Sequence, residues 1–186
     1  MDAVTDRITR ERIVEAGLRL LGEGGLHALA MRRIATELGV QQSALYWHFE
    51  NKQQLLGAIA DQVVAALAPA GHRHRDRLRS LATGLRNEVS AYPDGAELVA
   101  TAFAFRLGAR AAFDRFVAEL VAAGAAPDDA EVGASVLWHF VLGFVTDEQQ
   151  HRQAAALGAI AAAPDDAARA DKRFEKAVNL IVAALA

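Results

Sequence analysis

Residues 32–52 concentrate side chains that can hydrogen-bond to the bases and phosphates of DNA. The amide of Gln42 offers a paired donor and acceptor that match the major-groove edge of adenine, and Arg32 can reach a phosphate or a guanine. We expect Gln42 to specify a base and the other side chains to position the protein on the backbone. The predicted DNA contacts are Arg32, Gln41, Gln42, Ser43, Tyr46, His48 and Lys52.

These side chains need a scaffold, and the apolar residues around them predict one. Ile34 and Leu38 recur at the spacing of one helix face, and Gly39 then interrupts the pattern. A second short helical run places Leu45 and Phe49 four residues apart, on its inner side. Two short helices joined by a tight turn indicate a helix-turn-helix, whose second helix lies in the major groove.

The aromatic residues of the second helix have different expected roles. Leu45 and Phe49 already occupy the inward positions, so Tyr46 is expected to be exposed. Trp47 is expected to pack its large apolar ring against a neighbouring helix. His48 is open to two interpretations, a structural histidine or a phosphate contact.

The composition favours a packed protein without a catalytic site. The chain has 186 residues, 53% of them hydrophobic, and contains no cysteine, which excludes a disulfide framework and a thiolate metal site. The charged N-terminal region argues against a signal peptide, and no apolar run is long enough for a membrane span. No Gly-rich phosphate loop or Ser/His/Asp grouping supports an enzyme. We therefore predict a soluble cytoplasmic protein, not an enzyme, with no cofactor and no membrane partner.

Charge limits how strongly this chain can attract DNA. The formal net charge is -3, and residues 1–52 hold seven Lys and Arg against seven Asp and Glu. Attraction to phosphates should therefore be modest and concentrated around Arg32, Arg33 and Lys52. A second group of arginines, from Arg73 to Arg86, is expected to be a solvated helix start, with phosphate contact as the alternative.

Helical periodicity continues along the chain without strand alternation, which predicts an all-α fold of about nine or ten helices. Thr9 and Asn51 are the expected N-caps of the first and fourth helices. Two helices of the C-terminal half, with apolar residues at 132–145 and 174–185, are apolar on more than one face. A second subunit is therefore expected to cover them. The alternative is that they form the core of a single chain. The predicted homodimer contacts are Val136, Phe140, Phe144, Val178, Ile181 and Leu185.

The sequence of residues 39–56, with Leu-Tyr-Trp-His-Phe followed by Glu-Asn-Lys, closely resembles the DNA-binding domain of the TetR (tetracycline repressor) family. Residues 138–151 and the Asp-Gly-Ala of residues 94–96 extend the resemblance into the C-terminal half. The resemblance implies a three-helix helix-turn-helix DNA-binding domain at residues 1–52. It also implies a helical ligand-binding and dimerisation domain at residues 53–186 and a palindromic operator in double-stranded DNA.

This chain departs from the family pattern at two helix starts. Small hydroxyl residues commonly cap the two helices of the helix-turn-helix, which we call the reading unit. In this sequence Ala30 and Gln41 occupy these two positions instead. The resemblance also implies that His48 contacts a phosphate.

The resemblance implies an effector, but not the family's magnesium-bound tetracycline. The positions that match its histidine, helix amide and imidazole ligands are Val99, Leu81 and Ala68, and only the carboxylate, Asp147, is retained. Unpaired polar groups on the drug and its metal would cost about 1–3 kcal/mol each. A small, largely apolar effector is expected instead. Its predicted lining is Leu81, Leu85, Val99, Phe103, Phe116, Trp138 and His139. The alternative is that the predicted lining residues form only the hydrophobic core and no pocket.

The sequence thus predicts a ligand-responsive DNA-binding transcriptional regulator, in the first instance a repressor that its effector releases from the operator. Two alternatives stay open, a DNA-binding dimer that needs no ligand and a metal-responsive repressor. Asp147, Glu148 and His151 could hold a cation, although a solvated helix end is the expected role.

Overall fold

The computed structural model describes residues 8–161 and 166–185 of the chain, and within these ranges it contains helices and no strand. The predicted all-α fold is confirmed, with nine α-helices and one short 3-10 turn in the described ranges. None of these helices is both long and apolar enough to cross a membrane. The predicted outer domain limits, residues 1 and 186, lie outside the described residues. The elements are α1 (Arg10–Gly24), the 3-10 turn (Gly25–Ala28), α2 (Met31–Glu37), α3 (Gln42–Tyr46), α4 (Lys52–Val63), α5 (His74–Ser90), α6 (Gly95–Ala104), α7 (Arg110–Ala122), α8 (Pro127–Ala156) and α9 (Asp166–Leu185).

Two helices begin with the capping chemistry that their sequences predict. The Thr9 side chain accepts a hydrogen bond from the backbone N–H of Arg12 at the start of α1. At the start of α4 the Asn51 side chain accepts from the N–H of Gln54 at 2.9 Å, and the Gln54 side chain accepts in return from the N–H of Glu50. Both caps satisfy backbone donors that a helix leaves unpaired.

The two helices of the reading unit have no such caps. Ala30 and Gln41 occupy the N-cap positions of α2 and α3, and neither side chain makes a capping hydrogen bond. Helices of seven and five residues are too short to be stable alone. Burial of Ile34, Leu45 and Phe49 in the core therefore supplies the stabilisation that the caps do not.

Helix α4 is shorter than its apolar stripe predicts. The stripe runs to Leu67, but α4 ends at Val63. The chain then turns through hydrogen bonds from Ala65 to Gln62 and from Leu67 to Val64, which keep the Leu67 side chain buried. Ala68 consequently lies beyond α4 and is exposed.

Close backbone contact joins α4 to the turn between α6 and α7. A Cβ atom on Gly57 would overlap the carbonyl oxygen of Leu107, and one on Gly108 would overlap that of Gly57. Four residues after Gly57, Asp61 accepts a hydrogen bond from the N–H of Ala109 at 2.6 Å. Ala109 has a left-handed backbone, φ 64°, at the start of α7. The middle of α4 is therefore fixed to the C-terminal helices at two adjacent points.

The arginines at the start of α5 connect helices. Arg73 is exposed, as expected for a solvated start. Arg77, in contrast, donates at 2.6 Å to Glu119, a buried carboxylate of α7, and Arg79 donates at 2.5 Å to the Asn179 side chain of α9. The solvated interpretation is thus wrong for Arg77 and Arg79, because their partners come from helices distant in sequence.

Arg86 forms the most connected contact of this group. Its guanidinium donates to Glu148 of α8 at 2.5 Å and to Asp171 of α9 at 2.7 Å. It also lies over the rings of Phe144 and Phe174, at 5.5 and 4.7 Å from their centroids. The hydrogen bond to Glu148 raises the pKa of Arg86 above its ordinary value. Arg86 therefore stabilises the junction of α5, α8 and α9 through both charge and ring contacts.

Several predicted dimer contacts are partners within one chain. The rings of Phe140 and Phe144 pack on Phe174 with centroids 5.8 and 5.2 Å apart, and Val178 is buried. Phe140 and Phe144 nevertheless remain only half-buried, so their role as contacts between subunits stays a prediction, whereas Val178 is covered within the chain. Ile181 and Leu185 are half-buried, and Val136 is exposed.

We expect Gly57→Ala to lower the free energy of unfolding by about 1–3 kcal/mol, since its methyl group would enter occupied backbone space. Gly22→Ala is the matched control, because Gly22 also lies within a helix but has nothing within 4 Å of an added Cβ. This control should stabilise the chain by about 0.5–1 kcal/mol. Urea unfolding measures both, and equal stability of Gly57→Ala and the unchanged chain would contradict the close contact.

Candidate DNA-binding surface and effector core

Helix α3 presents a polar face opposite a buried apolar one. Gln41, Gln42, Ser43 and Tyr46 are exposed, whereas Leu45 is fully buried. The Gln42 side-chain amide donates a hydrogen bond to the Tyr46 hydroxyl at 3.3 Å. This bond joins an exposed amide to an exposed hydroxyl on the same face of α3. The exposure predicted for Tyr46 is therefore confirmed.

The other predicted DNA contacts differ in exposure. Arg32 on α2 and Lys52 at the start of α4 are exposed, whereas His48 is half-buried. The neighbouring Arg33 lies 3.7 Å from Glu23 in an ion pair, so part of its charge is already balanced. The positive charge available to DNA is accordingly local and small.

Trp47 does not pack as predicted. Its side chain is 90% exposed, although it follows directly on α3. The expected positions against the neighbouring helices are already filled by Leu45 and Phe49, which are buried. A large exposed ring next to the polar face adds a flat apolar surface to the candidate DNA-binding residues.

Arg10 holds the C-terminal end of α3, the second helix of the reading unit, which we call the reading helix. The sequence did not reveal this role. The Arg10 guanidinium donates to the carbonyl oxygen of His48 at 3.0 Å and lies 4.1 Å from the centroid of the Phe49 ring. This contact holds the C-terminal end of α3 on α1. The partners are 38 residues apart, so no local pattern could have indicated it.

The Asp-Gly-Ala turn before α6 is a contact point between the two halves of the chain. The Asp94 carboxylate accepts a hydrogen bond from the N–H of Leu26 at 3.0 Å. Gly25 is needed there, because its φ is 63° and any side chain would overlap Asp94. On the other side, the Gln149 amide of α8 donates to the carbonyl oxygen of Tyr92 at 2.8 Å. The turn therefore connects α8 to the reading unit.

A crevice of about 320 Å³ lies beside this contact point. Its walls come from the 3-10 turn, the start of α4 and the length of α6. The residues that line it are Leu26, His27, Lys52, Gln53, Leu56, Glu97, Leu98, Thr101, Ala102, Phe105 and Leu107.

The predicted effector residues are brought together, but as closed core. Leu81, Leu85, Val99, Phe116 and Trp138 have no exposed surface. Their side chains fill the space between α5, α6, α7 and α8. These five residues do not line the crevice beside α4. They also do not line a second surface cavity, which lies on α9 between Lys172 and Leu180.

The two remaining predicted effector residues lie at the edge of that core. Phe103 is half-buried and His139 is exposed. The His139 Nδ1 donates to the carbonyl oxygen of Ser135 at 2.7 Å, and its ring meets Phe103 edge-on at 6.3 Å. His139 is thus outside the core and does not line it.

The candidate cation ligands have other partners. Glu148 pairs with Arg86, His151 lies 3.4 Å from Asp166, and Asp147 is exposed. Across residues 8–161 and 166–185, no group of three or more His, Cys, Asp or Glu side chains could hold a metal ion.

Comparison with known proteins identifies the family. A model of bacterial regulatory proteins of the tetR family matches residues 13–59, and a model of the tetracyclin repressor-like C-terminal domain matches residues 68–174, more than half of the chain. The chain belongs to the TetR family. It is therefore a DNA-binding transcriptional regulator, and the expectation that it is not an enzyme is confirmed.

Individual relatives agree along most of the chain. The class D tetracycline repressor protein of Escherichia coli is 35% identical over 174 residues, which cover 86% of this chain and 74% of that protein. The crystal structure of BioQ with its natural double-stranded DNA operator is 30% identical, with a TM-score of 0.79 over 96% of this chain and 98% of that one. A TetR variant of Acinetobacter baumannii AYE in complex with minocycline is 28% identical, with a TM-score of 0.78 over 96% of both chains.

We expect Trp47→Ala to change the free energy of unfolding by less than about 0.5 kcal/mol, because the side chain is exposed. Leu45→Ala, two residues earlier and fully buried, should cost about 2–5 kcal/mol. Urea unfolding of both variants tests this. A large loss of stability in Trp47→Ala would mean that the ring is packed as the sequence first suggested.

Proposed function

We propose that this regulator is a repressor that binds a palindromic operator as a homodimer and is released by a small, largely apolar effector. The observation that carries the proposal is the exposed polar face of α3. The family match, which extends through the C-terminal helices, supports it. The proposed domains are residues 1–52 for DNA binding and 53–186 for ligand binding and dimerisation.

The exposed residues of α3 have the chemistry for both base reading and phosphate contact. Gln42 can pair with the edge of adenine, and its hydrogen bond to Tyr46 restricts the amide to fewer orientations. Gln41 and Ser43 are exposed beside Gln42, and His48 is half-buried just after the end of α3. Arg32 and Lys52 add charge from α2 and α4. In the proposal Gln42 specifies a base and the others position the reading unit.

An uncovered apolar surface supports the homodimer. Val132 and Val136 are 66% and 46% exposed on α8, and Leu180 is 64% exposed on α9. Val132 and Val136 lie one turn apart on the same face of α8, and a contiguous exposed apolar face is typical of a protein contact. A second copy would cover it symmetrically and would bring a second reading helix to the roughly 34–36 Å spacing of adjacent major grooves. Phe140, Phe144, Ile181 and Leu185 are half-buried on the same two helices and complete the proposed contact, whereas Val178 is buried within the chain.

Helix α4 is the proposed lever between ligand and DNA. Its N-terminal end carries Lys52, and its middle is fixed to the C-terminal helices at Gly57 and Asp61. A ligand that favours a different position of α6 and α7 would move α4 and change the separation of the two reading helices. Operator affinity then falls by the ligand's differential affinity for the two states.

Tetracycline with magnesium does not fit this chain. Val99 and Leu81 are apolar and fully buried, and Ala68 is exposed beyond α4. The side chains of these residues offer no oxygen or nitrogen to a metal or a drug hydroxyl, so the effector should be mostly apolar.

A regulator that needs no ligand is the second candidate, and the closed core favours it. If it is correct, no small molecule should raise the melting temperature of the protein, while operator binding persists. A thermal-shift screen of small aromatic and aliphatic compounds separates the two candidates, since stabilisation by any of them supports the ligand-responsive form.

Selection of bound sequences from random duplexes should yield a palindrome. Gln42→Ala should then lose preference at one base pair in each half-site, at a cost of about 1–3 kcal/mol. Lys52→Gln should instead weaken all sequences alike and reduce the salt dependence of binding by about one counterion. Failure to enrich any sequence would sink the proposed DNA reading, and an unchanged base preference in Gln42→Ala would remove its assigned role.

Val136→Glu should convert the dimer to a monomer, because it places a charge in the proposed interface. Val121→Glu on α7 is the control, since Val121 is 45% exposed and lies outside the proposed contact. Sedimentation velocity at micromolar concentration measures both variants. If the Val136→Glu variant forms a dimer as stable as that of the Val121→Glu control, the interface lies elsewhere on the protein.

A further inference from the structure

Trp138 carries a buried hydrogen-bond donor that has no acceptor. Its side chain has no exposed surface, and its Nε1 atom makes no hydrogen bond. Buried tryptophans usually pair this N–H, because water can no longer do so. The donor is therefore available to a molecule that enters the core.

Three phenylalanine rings, which together we call the aromatic cage, pack around the indole ring of Trp138. Phe113 and Phe116 meet the indole edge-on, with centroids 5.8 and 6.1 Å away, and Phe103 lies tilted at 5.2 Å. Aromatic carbon offers good packing but no strong acceptor. The cage therefore offers aromatic packing but supplies no oxygen that could accept the hydrogen bond of Trp138 Nε1.

Phe103 is the least enclosed of the three rings of the cage. Phe113 and Phe116 are fully buried on α7, whereas Phe103 is half-buried in the last turn of α6. The helix ends one residue later, and Arg106 then adopts a left-handed backbone with φ 58°. Displacing this side chain thus disturbs a helix end next to solvent and leaves the core interior in place.

We infer that the effector is a small aromatic molecule with a carbonyl oxygen. Its ring takes the place of the Phe103 ring against Phe113 and Trp138, and its oxygen accepts a hydrogen bond from Trp138 Nε1. This inference rests on the proposed ligand response. Outward movement of Phe103 also shifts the end of α6, and the following residues, Leu107 and Gly108, contact Gly57 of α4.

A matched pair of probes tests the acceptor. Acetophenone carries a carbonyl group on a single ring of the same size as that of Phe103, and α-methylstyrene has nearly the same shape with a methylene group in place of the carbonyl oxygen. The ketone should bind about fivefold more tightly, the value of one net hydrogen bond. The chain has two tryptophans, so Trp47→Phe leaves Trp138 as the only indole. Its N–H proton signal should move downfield with the ketone and not with the hydrocarbon.

Two phenylalanine variants test the displacement of Phe103. Phe103→Ala should bind both probes at least about tenfold more tightly, because no ring has to be displaced. Phe105→Ala is the control, since Phe105 is exposed two residues further on and is not part of the cage; it should bind as the unchanged chain does. Trp138→Phe should keep hydrocarbon binding and lose the preference for the ketone.

Each outcome bears on the inference. Equal affinity for the two probes, an unmoved indole signal in the complex, or no binding even to Phe103→Ala would overturn it. Operator release by a compound that leaves the Trp138 signal unchanged would overturn it too, while supporting the proposed ligand response. Ketone binding at Trp138 without any loss of operator affinity supports the inference and counts instead against ligand-controlled release.

Discussion

The contact between α4 and the turn at Leu107 and Gly108 determines how the two halves of the chain can act together. Backbone approaches backbone there, because Gly57 and Gly108 have no side chains to separate them. Such a contact is rigid, because no flexible side chain lies between the two backbones to absorb a displacement. Asp61 adds a hydrogen bond one helical turn further on. In the proposed mechanism a movement of α6 and α7 would therefore displace α4, whose N-terminal end follows the reading helix in the chain.

A second connection runs through polar groups. Gln149 of α8 holds the turn before α6, and Asp94 in that turn holds the N–H of Leu26 in the reading half. Its hydrogen bonds can break and form at small net cost, whereas the glycine contact is steric. The two halves of the chain are thus joined by one steric contact between backbones and by one set of hydrogen bonds.

The C-terminal helices divide their apolar residues between two tasks. Phe140, Phe144 and Phe174 close the chain's own core with Arg86 over the rings, and Val132 and Val136 remain on the surface. Periodicity correctly indicated that α8 is apolar on more than one side. It could not assign each side to a partner, because that assignment depends on where α9 packs.

The sequence by itself determined the helices, the caps at Thr9 and Asn51, the helix-turn-helix and the outward polar residues of α3. These features depend on neighbours within about four residues, where spacing and side-chain type decide the outcome. Tertiary structure alone decided the exposure of Trp47, the brace of Arg10, the partners of Arg77 and Arg86, and the cage around Trp138. Those features join residues far apart in the chain, so their energies depend on packing geometry that no local pattern contains.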